Sequence, residues 1–580
     1  MNKENTDFVR KSYNKILPVQ ILSLVVSAVN MFFDSMMTSK MLGSTAMASI
    51  GFFAPINTLI GISYVICTGA QIMCSKYLGN GKKEKVISVF STAFIFLTLI
   101  GILSTIICLI FSDHLSMILG AHGETKVMLS EYIRGYSIGI TGQILLGLLI
   151  MFLPLNNLDR LSYFAMGVLV CTNITLNYVF VGILNLGLSG MGLSTSLSYI
   201  LTVLILLFGY LKRTHTFYIQ LYDLSFNILP EVIYLGLPVL LFIVGCTIKA
   251  YVLNLTLVKN AGDPGVAAMN VQNMLCTLIG AIPQGVAASF LTLGSLYYGE
   301  QDKQSYIYLI RYALKLGIIM SSIAAAALTF GSPLITDIFY HKDDPSWTET
   351  NRMLLLFPCY LILNTIFNLL MKSYHCQGNM KLINCLSFSE SIIIAVMAVV
   401  MANFWGSDAV WISFPIGNLI CIIIIGIYAF AGSYNKKFII ENWIRLPEEF
   451  GYSADECLDF SVESKDDVVT VSQRVMDFCK NKNVDHKKSM ISGLSIEEMV
   501  GNIFQYGIKE NIHVDVRIVV KDSIILRIRD DSSAFDPNKY LEQFTPKDIT
   551  KNIGIRLIAN LTDEMIYRSN VGINTLLIKV

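Results

Sequence analysis

The feature that most constrains this chain is a series of long apolar segments that fills the first 430 residues and then stops. A helix needs about 20 apolar residues to cross the hydrocarbon core of a bilayer. Twelve segments of roughly that length lie near residues 16–37, 45–72, 86–112, 129–153, 161–183, 188–211, 231–257, 265–290, 307–331, 351–371, 382–404 and 410–432. The chain is 54% hydrophobic and 15% charged, against about 45–50% and about 25% in globular proteins. We therefore predict an all-α polytopic membrane protein of about twelve helices, followed by a domain in water.

The basic residues of the loops predict how this membrane region is oriented. The net charge is only +1, so bulk charge does not suggest a nucleic-acid partner. If the N-terminus is cytoplasmic, the inner loops carry Lys76, Lys82, Lys83, Lys85, Arg160, Lys212, Arg213, Lys303, Lys372 and Lys381, whereas the outer loops carry Lys40, Lys126, Lys259, Lys342 and Arg352. Because cytoplasmic loops are enriched in lysine and arginine, we predict that both termini lie in the cytoplasm.

Four sequence markers recur about 220 residues apart, which indicates an internal repeat. The pairs are Leu17-Pro18-Val19 with Leu237-Pro238-Val239, Gly43 with Gly262, Gly79 with Gly299, and Asn157–Arg160 with Gln377–Lys381. Chance matches between apolar helices are the alternative. We predict two six-helix lobes at residues 1–215 and 216–435, a linker at 436–452 and a soluble domain at 453–580. Two similar bundles of this kind can rock about a shared central cavity.

These markers and neighbouring residues together match the pattern of one transporter family. The residues that carry the match are Leu17-Pro18, Asp34, Leu42-Gly43, Pro55, Ser75–Gly79, Gly236–Pro238 and Gly262 with Ala267. The first 430 residues resemble the multidrug and toxic compound extrusion (MATE) transporters. The resemblance implies a secondary active antiporter of the cell membrane, which exports small organic or drug-like compounds in exchange for protons or sodium.

Asp34 is the strongest candidate for a coupling residue, because ionisable side chains are costly inside a bilayer and tend to be functional there. The resemblance places the family's coupling carboxylate of the N-terminal lobe at Asp34, with companions at Asn173, Asn177 and Thr195. Carboxylate, amide and hydroxyl oxygens are the ligands that a hard cation prefers. Many relatives carry an aspartate at the position of Asn177, so sodium coupling and proton coupling through Asp34 alone both stay open. The alternative role for these side chains is hydrogen bonding at a helix end or between helices.

Two further intramembrane charges are candidates for the lining of a substrate cavity, Lys249 in the seventh segment and Glu390 in the eleventh. Another subgroup of the family bears a sodium-binding glutamate near the position of Lys249, so a carboxylate site of that kind is not expected in the second lobe. A lysine there would attract an acidic or zwitterionic substrate, or its ammonium group would reach the membrane interface. Glu390 is either functional or interfacial.

The pattern after Pro447 is that of a soluble domain with short elements. We predict strands at Leu458–Val462, Val514–Val520, Ile524–Ile528, Met565–Arg568 and Asn574–Val580, and helices at Val468–Lys480, Met490–Tyr506 and Ile553–Leu561. The expected fold is an α/β sandwich with an antiparallel sheet.

Segments of this domain match the boxes of a nucleotide-binding family, in the right order along the chain. They are Glu498–Asn502 on a helix, Asp530–Pro537 after a strand, Asn552–Ile555 before a helix and Gly572–Thr575 near the end. They resemble the GHKL-type ATPase fold, and most closely the anti-sigma-factor serine kinases, which indicates a bacterial protein. The resemblance implies that Glu498 is the catalytic base of an active domain, that Asn502 binds Mg²⁺, that Asp530 binds adenine, and that Gly554 and Thr575 complete the nucleotide site.

The glycines of these boxes are partly replaced, by Ser532 and Ala534 near Asp530 and by Asn552 in the phosphate loop. Glycine permits a close approach of backbone to phosphate that a side chain obstructs. Binding of ATP with Mg²⁺, kinase activity, and a docking role without chemistry therefore all stay open. The leading hypothesis is an exporter that this domain regulates. The competing hypothesis is a membrane-tethered sensor whose C-terminal domain binds ATP or phosphorylates a cytoplasmic regulatory protein.

Overall fold

The computed structural model of the chain describes residues 3–80, 82–156, 158–210, 217–220, 224–431, 440–447, 449–453, 455–507, 512–521, 523–543, 553–570 and 573–580. The helices of the membrane region are α1 (Lys3–Leu42), α2 (Ser44–Gly51), α3 (Ala54–Gly61), α4 (Tyr64–Gly79), α5 (Lys83–Ile110), α6 (Ser112–Ile118), α7 (Glu124–Ser137), α8 (Ile140–Phe152), α9 (Asp159–Asn177), α10 (Gly187–Leu207), α11 (Leu229–Ile279), α12 (Ala281–Gly299), α13 (Lys303–Phe330), α14 (Ser332–Phe339), α15 (Pro345–Leu356), α16 (Cys359–Gln377), α17 (Met380–Trp405) and α18 (Asp408–Ala431). Helix α9 continues as a π-helix at Tyr178–Ile183, and 3₁₀ turns lie at Pro154–Asn156 and Phe226–Ile228.

The number of membrane spans agrees with the sequence. Within the described residues, ten stretches of helix are long and apolar enough to cross a membrane, and the count reaches twelve when two bent helix pairs are each taken as one span. The bent pairs are α7 with α8, at 48°, and α15 with α16, at 45°. The predicted polytopic helical architecture is thereby confirmed.

Two glycines occupy equivalent turns in the two halves of the membrane region. Gly43, between α1 and α2, has a φ of 86°, and Gly262, at a kink inside α11, has a φ of 61°. Glycine adopts this left-handed region without the steric cost that a Cβ atom imposes. Each glycine therefore lets the chain turn from one span into the next, so this marker pair in the sequence corresponds to a shared backbone feature.

The two halves of the membrane region meet closely at the ends of α4 and α12. A Cβ atom added to Gly79 would lie 2.9 Å from the backbone nitrogen of Glu300, and one added to Gly299 would lie 2.5 Å from the carbonyl oxygen of Lys76. Side chains other than hydrogen do not fit at such distances. The marker glycines Gly79 and Gly299 thus permit backbone contact between the halves.

The C-terminal domain is a sheet covered on one face by helices. Its elements are β1 (Cys457–Val462), α20 (Asp467–Asn481), α21 (His486–Tyr506), β2 (Val514–Val520), β3 (Ile524–Asp530), α22 (Pro537–Gln543), α23 (Ile553–Leu561), β4 (Glu564–Asn570) and β5 (Ile573–Lys579), preceded by α19 (Ile440–Ile444). The strands form one antiparallel sheet in the order β1-β2-β3-β5-β4. Val516, Leu526 and Ile528 from the sheet and Ile496 from α21 lie in one buried core.

The elements predicted for this domain are all present, and one helix was not predicted. Helix α22 has seven residues and begins at Pro537, so it is too short to show a hydrophobic period in the sequence. The other face of the sheet rests on the membrane region. At the junction, the ring of Phe450 stacks on Tyr298 at 4.7 Å between centroids, and the hydroxyl of Tyr374 donates to the carbonyl of Trp443 at 2.7 Å.

Candidate functional sites

The first candidate site is a chain of hydrogen bonds between three helices of the first lobe. The amide nitrogen of Asn177 lies 2.6 Å from Oδ1 of Asp34 and 3.1 Å from Oδ1 of Asn173. The amide nitrogen of Asn173 lies 3.2 Å from Oγ1 of Thr195. Asp34 is partly buried, whereas the other three side chains are buried. The structure therefore brings together all four side chains that the sequence selected.

Local helix geometry explains why these side chains converge. Asn173 and Asn177 are one turn apart on α9, so both face the same neighbours. Ser194 lies beside Thr195 on α10, and its hydroxyl donates to Oδ1 of Asn177. Sequence reasoning missed Ser194, although a serine next to a selected threonine in an apolar segment was a usable signal. The site now contains one carboxylate, two amides and two hydroxyls.

Three tyrosines are electrostatic neighbours of Asp34. They are Tyr132 and Tyr136 on α7 and Tyr199 on α10. The hydroxyl of Tyr136 donates to the side-chain oxygen of Gln143 at 2.9 Å. These oxygens and the Asp34 carboxylate suit either a proton or a hard monovalent cation. Nothing in the sequence pattern alone distinguished these tyrosines from packing residues.

A second polar cluster lies in the second lobe and contains Lys249 and Glu390. Glu390 on α17 is 2% exposed, and the charge of Lys249 on α11 is its electrostatic neighbour. The ammonium group of Lys249 lies 5.5 Å from the centroid of the Phe414 ring, a cation–π distance. The side-chain amide of buried Asn418 has no hydrogen-bond partner among the described residues. The structure thus places Lys249 and Glu390 near each other, in the lobe opposite the Asp34 network.

The third candidate site is a cavity of about 720 Å³ in the C-terminal domain. Drug-sized and cofactor ligands occupy pockets of about 300–1,000 Å³. Its apolar lining includes Met499, Ile503 and Leu576, and its polar lining includes Asn502 and Asp530. An apolar slot with few polar groups suits a planar heterocycle that is recognised at one edge.

Asp530 is the charged group at the base of this cavity. Its Oδ1 accepts from the backbone nitrogen of Ser532 at 2.9 Å, from the hydroxyl of Ser532 at 2.5 Å and from the amide of Asn574 at 2.8 Å. These donors hold one oxygen and leave Oδ2 for a ligand. Burial raises the pKa of Asp530, although the hydrogen bonds from Ser532 and Asn574 lower it.

The remaining predicted nucleotide residues are only partly near the cavity. Glu498 on α21 lies against Gly554, where an added Cβ atom would be 2.9 Å from its Oε1. Gly554 thus makes room for Glu498. Asn552 and Gly572 lie outside the described residues.

The structure does not bring Thr575 to this cavity. It lies on the opposite face of the sheet, where it lines a small void beside Tyr297. Adjacent residues of a strand point to opposite faces, so Asn574 is the residue of β5 that reaches the cavity.

Metal binding in this cavity would depend on the nucleotide. Within the described residues no group of three or more histidine, cysteine, aspartate or glutamate side chains is arranged to hold a metal ion. Mg²⁺ commonly takes one or two protein ligands and completes its shell with phosphate oxygens and water. The amide oxygen of Asn502 at the cavity wall fits that minimal role.

Two helical lobes with a buried carboxylate site, joined to an ATPase-like sheet domain, define a membrane transporter with an appended module. The MatE family model matches residues 18–179 and 250–401, and the histidine kinase-like ATPase domain model matches residues 462–580. The first match covers more than half of the chain, so the chain belongs to the MatE family of membrane transporters. The predicted resemblances to MATE transporters and to GHKL-type ATPase domains are both confirmed.

Two bacterial relatives are named for multidrug export or resistance. The multidrug export protein MepA of Staphylococcus aureus (strain NCTC 8325 / PS 47) is 24% identical over 416 residues, which cover 70% of this chain and 90% of that protein. The probable multidrug resistance protein NorM of Listeria innocua is 28% identical over 372 residues, which cover 60% of this chain and 76% of that protein.

Solved structures have the same fold. An outward-facing multidrug resistance MATE family transporter aligns with a TM-score of 0.68 at 21% identity, over 73% of this chain and 96% of that chain. A MOP superfamily transporter from Pyrococcus furiosus aligns with a TM-score of 0.67 at 21% identity, over 75% of this chain and all of that chain, 100%. The membrane region of this chain therefore has the MATE fold, and an ATPase-like domain follows it.

Proposed function

We propose that this protein exports organic compounds by secondary active antiport, driven by protons or sodium, with Asp34 as the coupling residue. The observation that carries the proposal is the hydrogen-bonded network of Asp34, Asn177, Asn173 and Thr195. A carboxylate inside a protein needs a proton, a cation or hydrogen-bond donors. If a proton or a cation replaced the hydrogen-bond donor at the Asp34 carboxylate, the contact between α1 and α9 would rearrange, since these two helices are packed against each other.

The contacts between the lobes support alternating access. In the half of the membrane region nearer the C-terminal domain, the hydroxyl of Tyr13 donates to the carbonyl of Val286 at 3.0 Å, and the amide of Gln71 donates to Thr292 at 2.7 Å. We propose that this end faces the cytoplasm and is closed in the present state. A substrate cavity between the lobes would then open to the other side, with Lys249 and Glu390 favouring charged or zwitterionic compounds.

Transport in reconstituted vesicles tests this function. We expect a fluorescent organic cation to move against its gradient when a proton or a sodium gradient is imposed. An ionophore that collapses the productive gradient should stop the movement. Equal movement with both gradients collapsed would contradict antiport.

We propose further that the C-terminal domain binds ATP and regulates the exporter from the cytoplasm. Asp530 would accept the adenine amino group, and Asn502 would hold Mg²⁺, which neutralises phosphate charge when it is bound with the nucleotide. The next residue, Asp531, pairs with Lys11 of α1 at 2.8 Å. This contact supports communication between the cavity and the first lobe.

A second candidate function is a membrane-tethered signalling enzyme that phosphorylates a cytoplasmic regulatory protein. The cavity and the nearby carboxylate of Glu498 favour it. Transfer of the γ-phosphoryl group of ATP to a cytoplasmic protein, with ADP as the other product, would support the enzyme if it is abolished in Glu498→Ala. Binding of ATP without transfer to any cytoplasmic protein would support the regulatory role.

Nucleotide affinity should fall in acid at a higher pH than for an ordinary aspartate. A proton on Oδ2 would remove the acceptor that Asp530 offers to the adenine amino group, and burial raises the pKa of Asp530. The affinity for the nucleotide is therefore at its full value above this raised pKa and is lost as the pH falls through it. The loss begins above the ordinary aspartate pKa of about 3.9. Titration of a fluorescent ATP analogue at several pH values measures this. Affinity that stays constant down to the ordinary value would contradict the role of Asp530.

A further inference from the structure

Four arginines form a cluster on the face of the sheet that lies away from its helices. They are Arg517 on β2, Arg527 and Arg529 on β3, and Arg568 on β4, and each is at most 7% exposed. Side chains alternate between the two faces of a strand, so these residues lie opposite the core that contains Ile528. This arginine face rests on the loop between α12 and α13 of the membrane region.

Asp302 in that loop is the centre of the contact. It is fully buried and lies 2.7 Å from Arg527, 3.1 Å from Arg517 and 3.4 Å from Arg529. It also caps α13 by accepting from the backbone nitrogen of Ser305 at 3.1 Å. Burial alone would raise the pKa of Asp302, but the charges of the three arginines lower it well below its ordinary value. The carboxylate is therefore ionised when the domain is docked.

Arg568 contacts both lobes at once. Its guanidinium donates to the carbonyl of Leu78, in the last turn of α4 in the first lobe, and to the carboxylate of Glu300 in the second lobe. The C-terminal end of a helix carries a partial negative charge that favours a cation. Lys11 on α1 adds another contact of the first lobe, 2.8 Å from Asp531. The domain therefore spans the line along which the lobes meet.

The charges of the contact balance only when the domain is docked. The four arginines face four carboxylates, namely Asp459 and Asp515 of the domain and Glu300 and Asp302 of the membrane region. Separation would expose the arginine face to water with two more positive than negative charges, and it would break the ion pairs of this face with Glu300 and Asp302. A void of only about 30 Å³ remains at the contact, enough for one or two water molecules.

The sequence of the repeat indicates that this loop is specialised for the contact. The equivalent segment of the first repeat is Asn80–Lys83, which has two lysines and no acid, whereas the second repeat has Glu300–Lys303 with two acids. Cytoplasmic loops ordinarily favour basic residues. The acids are therefore present only in the copy that meets the arginines.

We infer that the arginine face is a docking surface that fits only one state of the transporter. In that state the end of the first lobe at Leu78 and the end of the second lobe at Glu300 lie side by side. Docked, the domain acts as a clamp that keeps this end of the transporter closed. When the lobes separate here, one guanidinium no longer reaches both the Leu78 carbonyl and the Glu300 carboxylate. Opening at this end therefore requires release of the domain. This inference rests on the alternating access proposed above, but it concerns conformation and not the coupling ion.

The separation of the lobe ends tests the clamp directly. Glu84 on α5 and Gln304 on α13 are exposed and occupy equivalent positions in the two repeats. Spin labels on unnatural amino acids at these two positions would report the distance between the lobes by pulsed electron paramagnetic resonance. We expect one short distance population in the parent chain and a second, longer population in Arg568→Ala. Arg568→Lys should behave like Arg568→Ala, because a single ammonium group lacks the fork that reaches two acceptors.

Two further variants make the test specific. One changes the membrane region at the contact, and the other changes the C-terminal domain away from the contact. Glu300→Gln changes only the membrane region and should also produce the longer population, so the test survives if Arg568→Ala does not fold. Arg474→Ala removes an exposed arginine of α20 outside the contact and should match the parent. Identical distances in the parent, Arg568→Ala and Glu300→Gln would overturn the clamp, and so would an equal shift in Arg474→Ala. No substrate or ion gradient is used, so failure of the clamp is distinguishable from failure of antiport.

Discussion

Asp34→Asn is expected to reduce gradient-driven export strongly while the protein still inserts and folds. The substitution keeps the shape of the side chain but removes the group that can exchange a proton or cation. Coupling free energies between two sites are typically about 1–3 kcal/mol, so export driven by the gradient should fall by about 5- to 150-fold. The measurement is dye export from reconstituted vesicles with the productive gradient imposed.

Two companion variants make the result for Asp34 interpretable. Asp113→Asn removes an exposed aspartate that pairs with Arg134 at 2.5 Å, and exposed pairs of this kind contribute at most about 1 kcal/mol. Its export should equal that of the parent. Asn177→Asp replaces the amide that donates to Asp34 by a second carboxylate and should increase the dependence on sodium. Full export by Asp34→Asn would refute the assignment of the coupling residue.

The residues of the first-lobe site were predictable from a family resemblance. That two of them face the same neighbours was predictable from helix geometry. Asn173 and Asn177 are one turn apart in any helix, so one side of the network follows from the sequence. The positions of Ser194, Tyr132 and Tyr199 did not follow from the sequence, because serine and tyrosine are common in apolar helices as packing residues. Only the three-dimensional contact identifies them as neighbours of Asp34.

The C-terminal domain shows a different limit of sequence reasoning. Its strands were predicted to within two residues. The family resemblance selected Thr575 for the nucleotide site, whereas Asn574, on the other face of the strand, is the neighbour that lines the cavity. The arginine face was also missed. Alternating arginines on a predicted strand are ordinarily solvated, and their partner Asp302 is more than 200 residues away in the sequence. Such a partnership becomes visible only when the domains are placed together.

The contact with the lobes and the cavity share one segment of the C-terminal domain. Asp530 lines the cavity, and Asp531 contacts α1 through Lys11. Asp531 also accepts from the backbone nitrogen of His513 at 2.9 Å, so the end of β3 is fixed on both sides. A ligand that moves this segment would act on the first lobe without a long pathway. Nucleotide recognition at Asp530 is therefore the next quantity to measure.

Asp530→Asn is expected to weaken binding of ATP to the full chain by about 10- to 150-fold, because a hydrogen bond to a charged group contributes about 1.5–3 kcal/mol. Ser532 and Asn574 donate to Oδ1, so in the variant they would hold the amide oxygen at that position. The amide nitrogen would then face the cavity and oppose the amino group of adenine, donor against donor.

Isothermal titration calorimetry with ATP and Mg²⁺ measures this loss of affinity, and two comparisons serve as its controls. Asp477→Asn changes an exposed aspartate of α20 and should leave the affinity unchanged. A nucleotide whose base has an acceptor in place of the amino group should bind Asp530→Asn better than it binds the parent, because the new amide donor suits it. Equal affinities of the parent and Asp530→Asn for ATP would show that the cavity does not recognise adenine through this carboxylate, and the ligand would then have to be sought among compounds without an exocyclic amine.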